Sequence, residues 1–330
     1  MVSPLEAPRG LPARSWLLLG LDFSSAPSRR KPVTLAIGER VQGVVRLQTL
    51  LRLPTLEAVA QWLAAPTPAA PPRPWLGGFD LPFGLPRELV ETLGWPRDWA
   101  ACIDHYVAQD RRALRDTFAA FCAARPVGAK FAHRACDRPA GSSPSMKWVN
   151  PPVAWMLHAG VPLLRAAGWQ LPAHEAGPPP TGDRRQDPAI GAPPAAAAGT
   201  NPPAPATPAT PATPATDTLP RLALEAYPGL LARELIGTRS YKADDAARQT
   251  PERLIARKDM VDALEQGRSQ RLDGLRLKLS AAQREALADD PTGDLLDATL
   301  CLMQAAWALQ RPHWGLPDGI DPLEGWILCA

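Results

Sequence analysis

From Ala176 to Thr218 the chain reads AGPPPTGDRRQDPAIGAPPAAAAGTNPPAPATPATPATPATDT. The A-T-P triplet recurs and large apolar residues are nearly absent, so the stretch cannot bury enough surface to offset the entropy of ordering it. Its composition predicts a disordered, semi-extended insert over 176–218. Whatever folds must therefore be assembled from chain on both sides of that insert.

The N-terminal side offers three strand-like runs, Trp16–Phe23, Pro32–Ile37 and Val44–Leu53. A helix is expected over Leu56–Ala64 with Thr55 as its N-cap. The apolar WLGGFDLPFGLP, Trp75 to Pro86, reads as a further strand with its following turn, and Arg87–Leu93, Asp98–Ala124 and Pro152–Ala167 read as helices. Beyond the insert, RLALEAYP (Arg221 to Pro228) reads as one more short strand. Helical periodicity follows, clearest at Glu252–Glu265 and Gly293–Leu309. Neither side has enough strands alone. The expectation is one α/β domain built from 15–175 and 219–330, with a helical insertion at 95–170 and an N-terminal extension at 1–14.

Bulk properties exclude several classes. A net charge of +3 on 330 residues does not announce a polyanionic partner. The five cysteines are odd in number and form no C-x-x-C pair, which argues against a disulfide framework or a zinc site and for a reducing cytoplasm. The opening MVSPLEAPRG lacks the basic-then-apolar order of a signal peptide. No apolar run approaches the ~20 residues of a membrane helix. The expectation is a cytoplasmic protein with no membrane partner; its oligomeric state is left open.

Three strand-like runs each deliver one carboxylate where strand gives way to loop: Asp22, Asp80 and Glu225. Two more, Asp294 and Asp297 in DPTGDLLDATL, open a helix that is apolar nearly all round and share one face of it. Each has a plain structural reading. Asp22 can cap a turn with Ser24 and Ser25, Asp80 can be a turn residue, Glu225 can pair with Arg221 or Arg233, and Asp294 can favour a helix N-terminus. Together they suggest more. Parallel strands bring their C-terminal ends to one rim, where open α/β sheets bind ligands. Several carboxylates at one rim repel unless they hold a hard cation such as Mg2+ or Mn2+.

The segments GLDFSS (Gly20 to Ser25), FDLPFGL (Phe79 to Leu85), HRACD (His133 to Asp137), LEAYP (Leu224 to Pro228), the pair Tyr241–Lys242 and DLLDA (Asp294 to Ala298) occur in that order. In this the chain resembles the domain of unknown function 429 family, whose members are classed as predicted nucleases of the ribonuclease H-like fold. The resemblance runs from about Trp16 to about Leu309. It implies a mixed sheet flanked by helices, with Asp22 on the central first strand, Asp80 ending the fourth and Asp294/Asp297 as the D-x-x-D of a C-terminal helix. Glu225 matches a family glutamate. The helical insertion and the low-complexity insert depart from the minimal fold.

The implied activity is phosphodiester hydrolysis by two divalent cations ~3.5–4 Å apart. In that scheme Asp22 bridges both metals, Asp80 and Asp297 hold one each, and Glu225 or Asp294 orients water or completes a shell. The substrate is a nucleic acid or another phosphoester. The stretch Arg97 to Lys147 carries nine Lys or Arg against five Asp. Within it Arg134, Lys147 and His133 are the candidate substrate contacts, with Lys242 a further one; Arg111, Arg112 and Arg115 read as a solvated helix face. Two other classes stay open. An actin-like phosphotransferase or ATPase needs a glycine-rich phosphate loop, for which only Gly77–Gly78 is a candidate. A non-catalytic binding protein of the same fold would not need its carboxylates to converge.

Overall fold

A strand with neighbours and cover on both faces has no solvent side, so it reads as an unbroken apolar run rather than an alternation. LLLGLD, Leu17–Asp22 (β1), is such a run, buried up to its last residue. The computed structural model describes residues 16–65, 71–174 and 219–330. The expected N-terminal extension 1–14 and insert 176–218 lie outside them.

Five further strands complete a mixed sheet: Val33–Val41 (β2), Val44–Leu53 (β3), Trp75–Asp80 (β4), Arg221–Glu225 (β5) and Arg276–Lys278 (β6). Their order is β5-β4-β1-β2-β3-β6, so β1 is interior and chain from both sides of the insert contributes. β2 runs antiparallel to β1 and β3, while β1 is parallel to β4, β4 to β5 and β3 to β6.

The helices are Leu56–Ala64 (α1), Arg87–Thr92 (α2), Trp99–Val107 (α3), Arg111–Ala123 (α4), the single turn Asp137–Ala140 (α5), Val153–Ala166 (α6), Pro228–Ile236 (α7), Pro251–Glu265 (α8), Ala281–Asp289 (α9) and Asp294–Ala308 (α10). α1 has the expected bounds, and Thr55 accepts from the Ala58 amide as its N-cap. The single helix expected over Asp98–Ala124 is two, because Asp110 accepts from the Arg112 and Ala113 amides and starts a new one. β6 was not expected; three residues with one buried side chain carry no periodic signal.

Side chains alternate across the sheet and divide two cores. Leu17, Leu19 and Leu21 of β1, with Trp75 and Phe79 of β4 and Ala223 of β5, join one apolar cluster with α1 to α4 and α6. Leu18 of β1, Leu76 of β4 and Leu222 and Leu224 of β5 join the other, with α7 to α10. The parity of each strand thus decides which face a terminal carboxylate serves.

α10 is the centrepiece of the second layer: every one of its residues except Trp307 is buried. It lies directly on backbone. A Cβ on Gly20 would stand 1.9 Å from the Ala298 carbonyl oxygen, and one on Gly78 would stand 2.4 Å from that of Cys301. Gly20 and Gly78 are register partners on β1 and β4, so together they form a flat seat for the helix.

Candidate functional site

The seat sets the site. Asp22 and Asp80 each follow their glycine by two residues, so they share its face of the sheet, and they are themselves register partners. Adjacent strands lie about 4.8 Å apart, which brings the two carboxylates side by side. On the other flank of β1, Thr34 pairs with Asp22, and its hydroxyl donates to the Asp294 carbonyl at 2.7 Å. That bond pins the first turn of α10 beside the strand ends. Asp290 accepts from the Leu295 amide at 3.0 Å and the Thr292 hydroxyl at 2.8 Å, fixing the turn that starts the helix. Asp22, Asp80, Asp294 and Asp297 are thereby gathered at one rim.

Crowded carboxyls are poor places for negative charge. Burial pushes Asp22 well above the usual carboxylate range, and Asp297, Asp80 and Asp294 push it further, against the pull of Lys242. Burial, followed by the charge of Asp297, raises Asp80 to about 7. Burial raises Asp294 to about 6, with Lys242 opposing. Asp297, fully buried, is the one acid whose oxygens are both taken: Tyr241 donates to Oδ1 at 2.5 Å, and the Lys242 ammonium pairs with Oδ2. Asp294 Oδ2, in a residue about 5% exposed, has no hydrogen-bond partner among the described residues.

Glu225 borders the same cleft, and its charge adds to the rise at Asp80, but its carboxylate is turned to the other face of the sheet. It stands opposite Phe79, not Asp80, so its parity sends it to the other face. There Arg134 grips it with two bonds of 2.7 and 2.6 Å, and the Phe83 amide donates at 3.0 Å. Asp137 takes the remaining edge of the same guanidinium, and the Glu324 carbonyl accepts as well. Neither Arg221 nor Arg233 pairs with Glu225; Arg221 donates to the Leu63 and Ala65 carbonyls and Arg233 to that of Ala140.

Three expected substrate contacts are therefore corrected. Arg134 is about 2% exposed and committed to two carboxylates, so it is a buried counter-ion rather than a phosphate hook. His133 opens into a different cavity, beside Glu88, Arg125 and Arg138. Lys147 does not line the cleft at the acids; its backbone bonds to Pro144 and Ala154. Glu225 is corrected too: with both oxygens held by Arg134, it is the anchor of a saturated network rather than a free ligand. Lys242 does reach the cleft, paired with Asp297. The pair Gly77–Gly78 is mid-strand, packed on the Phe79 ring and on α10, and is no phosphate loop.

The cleft at the acids has a volume of about 370 Å3. Asp22, Asp80 and Asp294 line it from the sheet and α10, and Pro151, Pro152, Val153 and Met156 from the helical block face them. Lys31, which sequence reasoning passed over, stands on its edge and lowers the Asp294 carboxyl from where burial puts it. The only signal for Lys31 was its place in the loop after GLDFSS. The donor chemistry suits a hard divalent cation: clustered carboxylates with raised pKa values and one orphaned, buried oxygen. Among the described residues, no three or more His, Cys, Asp or Glu side chains already form a metal-holding group. Lys242 supplies the positive charge nearest the acids instead. Compared with protein-family models, curated proteins and solved structures, the chain has no match.

Proposed function

We propose that this protein is a divalent-cation-dependent phosphodiester hydrolase of ribonuclease H-like fold. The carrying observation is the register pairing of Asp22 with Asp80 beneath the first turn of α10, whose Asp294 keeps an unpartnered oxygen in the same cleft. The strand order supports the fold assignment: β1, carrying the first aspartate, is interior to the sheet, and β2 alone runs against the others.

Asp22, Asp80 and Asp294 would hold Mg2+ or Mn2+. When bound, such a cation polarises a phosphoryl oxygen and lowers the pKa of water. The remaining work falls to the chain. Asp297 positions Tyr241 and Lys242 through its two oxygens, and burial beside Asp297 holds the Tyr241 hydroxyl in its protonated form. The Lys242 ammonium, held by Asp297, adds positive charge to the wall of the same cleft. In the reaction, water adds to phosphorus, one ester P–O bond breaks, and the leaving alkoxide takes up a proton.

The test combines two measurements on the full chain. Mg2+ or Mn2+ is expected to raise the melting temperature, since a ligand that binds only the native state stabilises it. Asp22→Asn is expected to remove both that shift and any hydrolysis of phosphodiesters. A shift that survives the substitution would sink the assignment of Asp22. Because Asp297 is already satisfied and no metal-holding group is preformed among the described residues, a non-catalytic binding protein is the second reading. It predicts no turnover of any phosphoester, whether or not the metal shifts the melting temperature.

A further inference from the structure

We infer that the cleft accepts a small phosphodiester with a single scissile linkage, no larger than a dinucleotide, rather than a nucleic-acid polymer; this rests on the hydrolase reading above. Size is the first argument. At about 370 Å3 the cleft lies near the lower end of the range, about 300–1,000 Å3, that encloses single small molecules.

Its walls are the second. The acids occupy the sheet side, while Phe23, Leu81, Pro152, Val153 and Met156 make an apolar wall. A thioether beside proline and aromatic surfaces suits a flat, weakly polar group such as a base. The helical block that departs from the minimal fold thus builds a pocket against the catalytic rim.

Charge is the third. A protein that tracks a polynucleotide neutralises several phosphates at once. Among the described residues lining the cleft, the cations are Lys31, Arg134 and Lys242. Arg134 is consumed by Glu225 and Asp137, and Lys242 by Asp297. Among the described residues Lys31 pairs with Asp244, both about half exposed or more, and such surface pairs hold weakly. Lys31 is thus free to meet a single phosphate. Several basic residues of the helical block are engaged away from the cleft: Arg111 lies over the Trp155 ring and donates to the Ser25 carbonyl, Arg125 pairs with Glu88, and Lys130 lies over Phe131.

The experiment measures turnover of a dinucleotide and of bis(p-nitrophenyl) phosphate against long single-stranded and duplex nucleic acids, in Mn2+, with melting temperature recorded in parallel. The dinucleotide is expected to exceed the polymers in kcat/KM per scissile bond by about tenfold or more. Met156→Trp, which fills the cleft, should raise KM for the dinucleotide about tenfold while the Mn2+-induced melting shift persists. Lys31→Ala should raise KM with little change in kcat, and Lys31→Arg should restore it. Polymers cut as well as the dinucleotide, or indifference to Met156→Trp, would overturn the size limit and leave the hydrolase reading standing. Absence of both turnover and a melting shift would overturn both. If a shift occurs without turnover, calorimetric binding of the dinucleotide decides, and failure to bind overturns the inference.

Discussion

Two charged centres lie near the same sheet edge and differ in one respect. Around Arg134, two carboxylates share one guanidinium, and its hydrogen bonds are internal. Around Asp22, four carboxylates share one ammonium, and an oxygen of Asp294 is left over. The residue types are similar, but the balance is not. A saturated centre holds structure; an undersaturated one stores repulsion that only a ligand or protons can relieve.

Breaking the saturated centre should have the largest effect. Arg134→Ala leaves Glu225 and Asp137 buried without a counter-ion, and removal of one partner of such a group costs about 3–5 kcal/mol. Chemical denaturation should show that loss at neutral pH, where Lys242→Ala should cost less, since Tyr241 still donates to Asp297 and the neighbouring acids readily take up protons. Equal costs for the two variants would erase the distinction between the centres.

Next comes the seat. Gly20→Ala drives a methyl into the Ala298 carbonyl, and overpacking of this kind costs about 1–3 kcal/mol. It should also weaken the metal-induced melting shift, because α10 carries Asp294 over Asp22. A variant that melts early yet keeps the full shift would show that the acids do not depend on the helix position.

These two centres also mark where the sequence is readable. The strands ending in Asp22 and Asp80 and the helix opening at Asp294 were legible, because each sits at a change of periodicity. Their convergence had a further signal in the repeated G-x-D of GLD and GFD. Spacing by two puts glycine and acid on one face, and the glycine admits a helix there. The fate of Glu225 was not legible. Its face depends on pairing with Phe79 rather than Asp80, a one-residue register choice that a strand of five residues does not announce. Its partner Arg134 lies 91 positions away, across the insert, so no local pattern joins them. HRACD looked like a basic patch for the same reason: Asp137 and Arg134 neutralise each other only once folded.

The smallest effect tests the undersaturated centre most directly. Asp80 and Asp294 have folded-state values of about 7 and about 6, and Asp22 is raised as well, all above an unfolded value near 3.8. The native state therefore binds more protons than the unfolded state between about pH 4 and pH 7. Stability must fall as pH rises through that window, from these groups, and recover as pH is lowered toward 4. In metal-free buffer the melting temperature should accordingly be higher at pH 5 than at pH 8. Asp22→Asn removes one charge from the group, so it should raise the pH 8 melting temperature by about 1–3 °C and flatten the slope between the two values. Mn2+ added to the unaltered protein at pH 8 should produce the same relief by a different route, supplying charge instead of removing it. At pH 5, where protons already occupy the acids, Mn2+ should do much less. A melting temperature that is indifferent to pH in metal-free buffer would mean the four carboxylates are as well compensated as the Arg134 centre. The contrast between the two regions would then have no functional content.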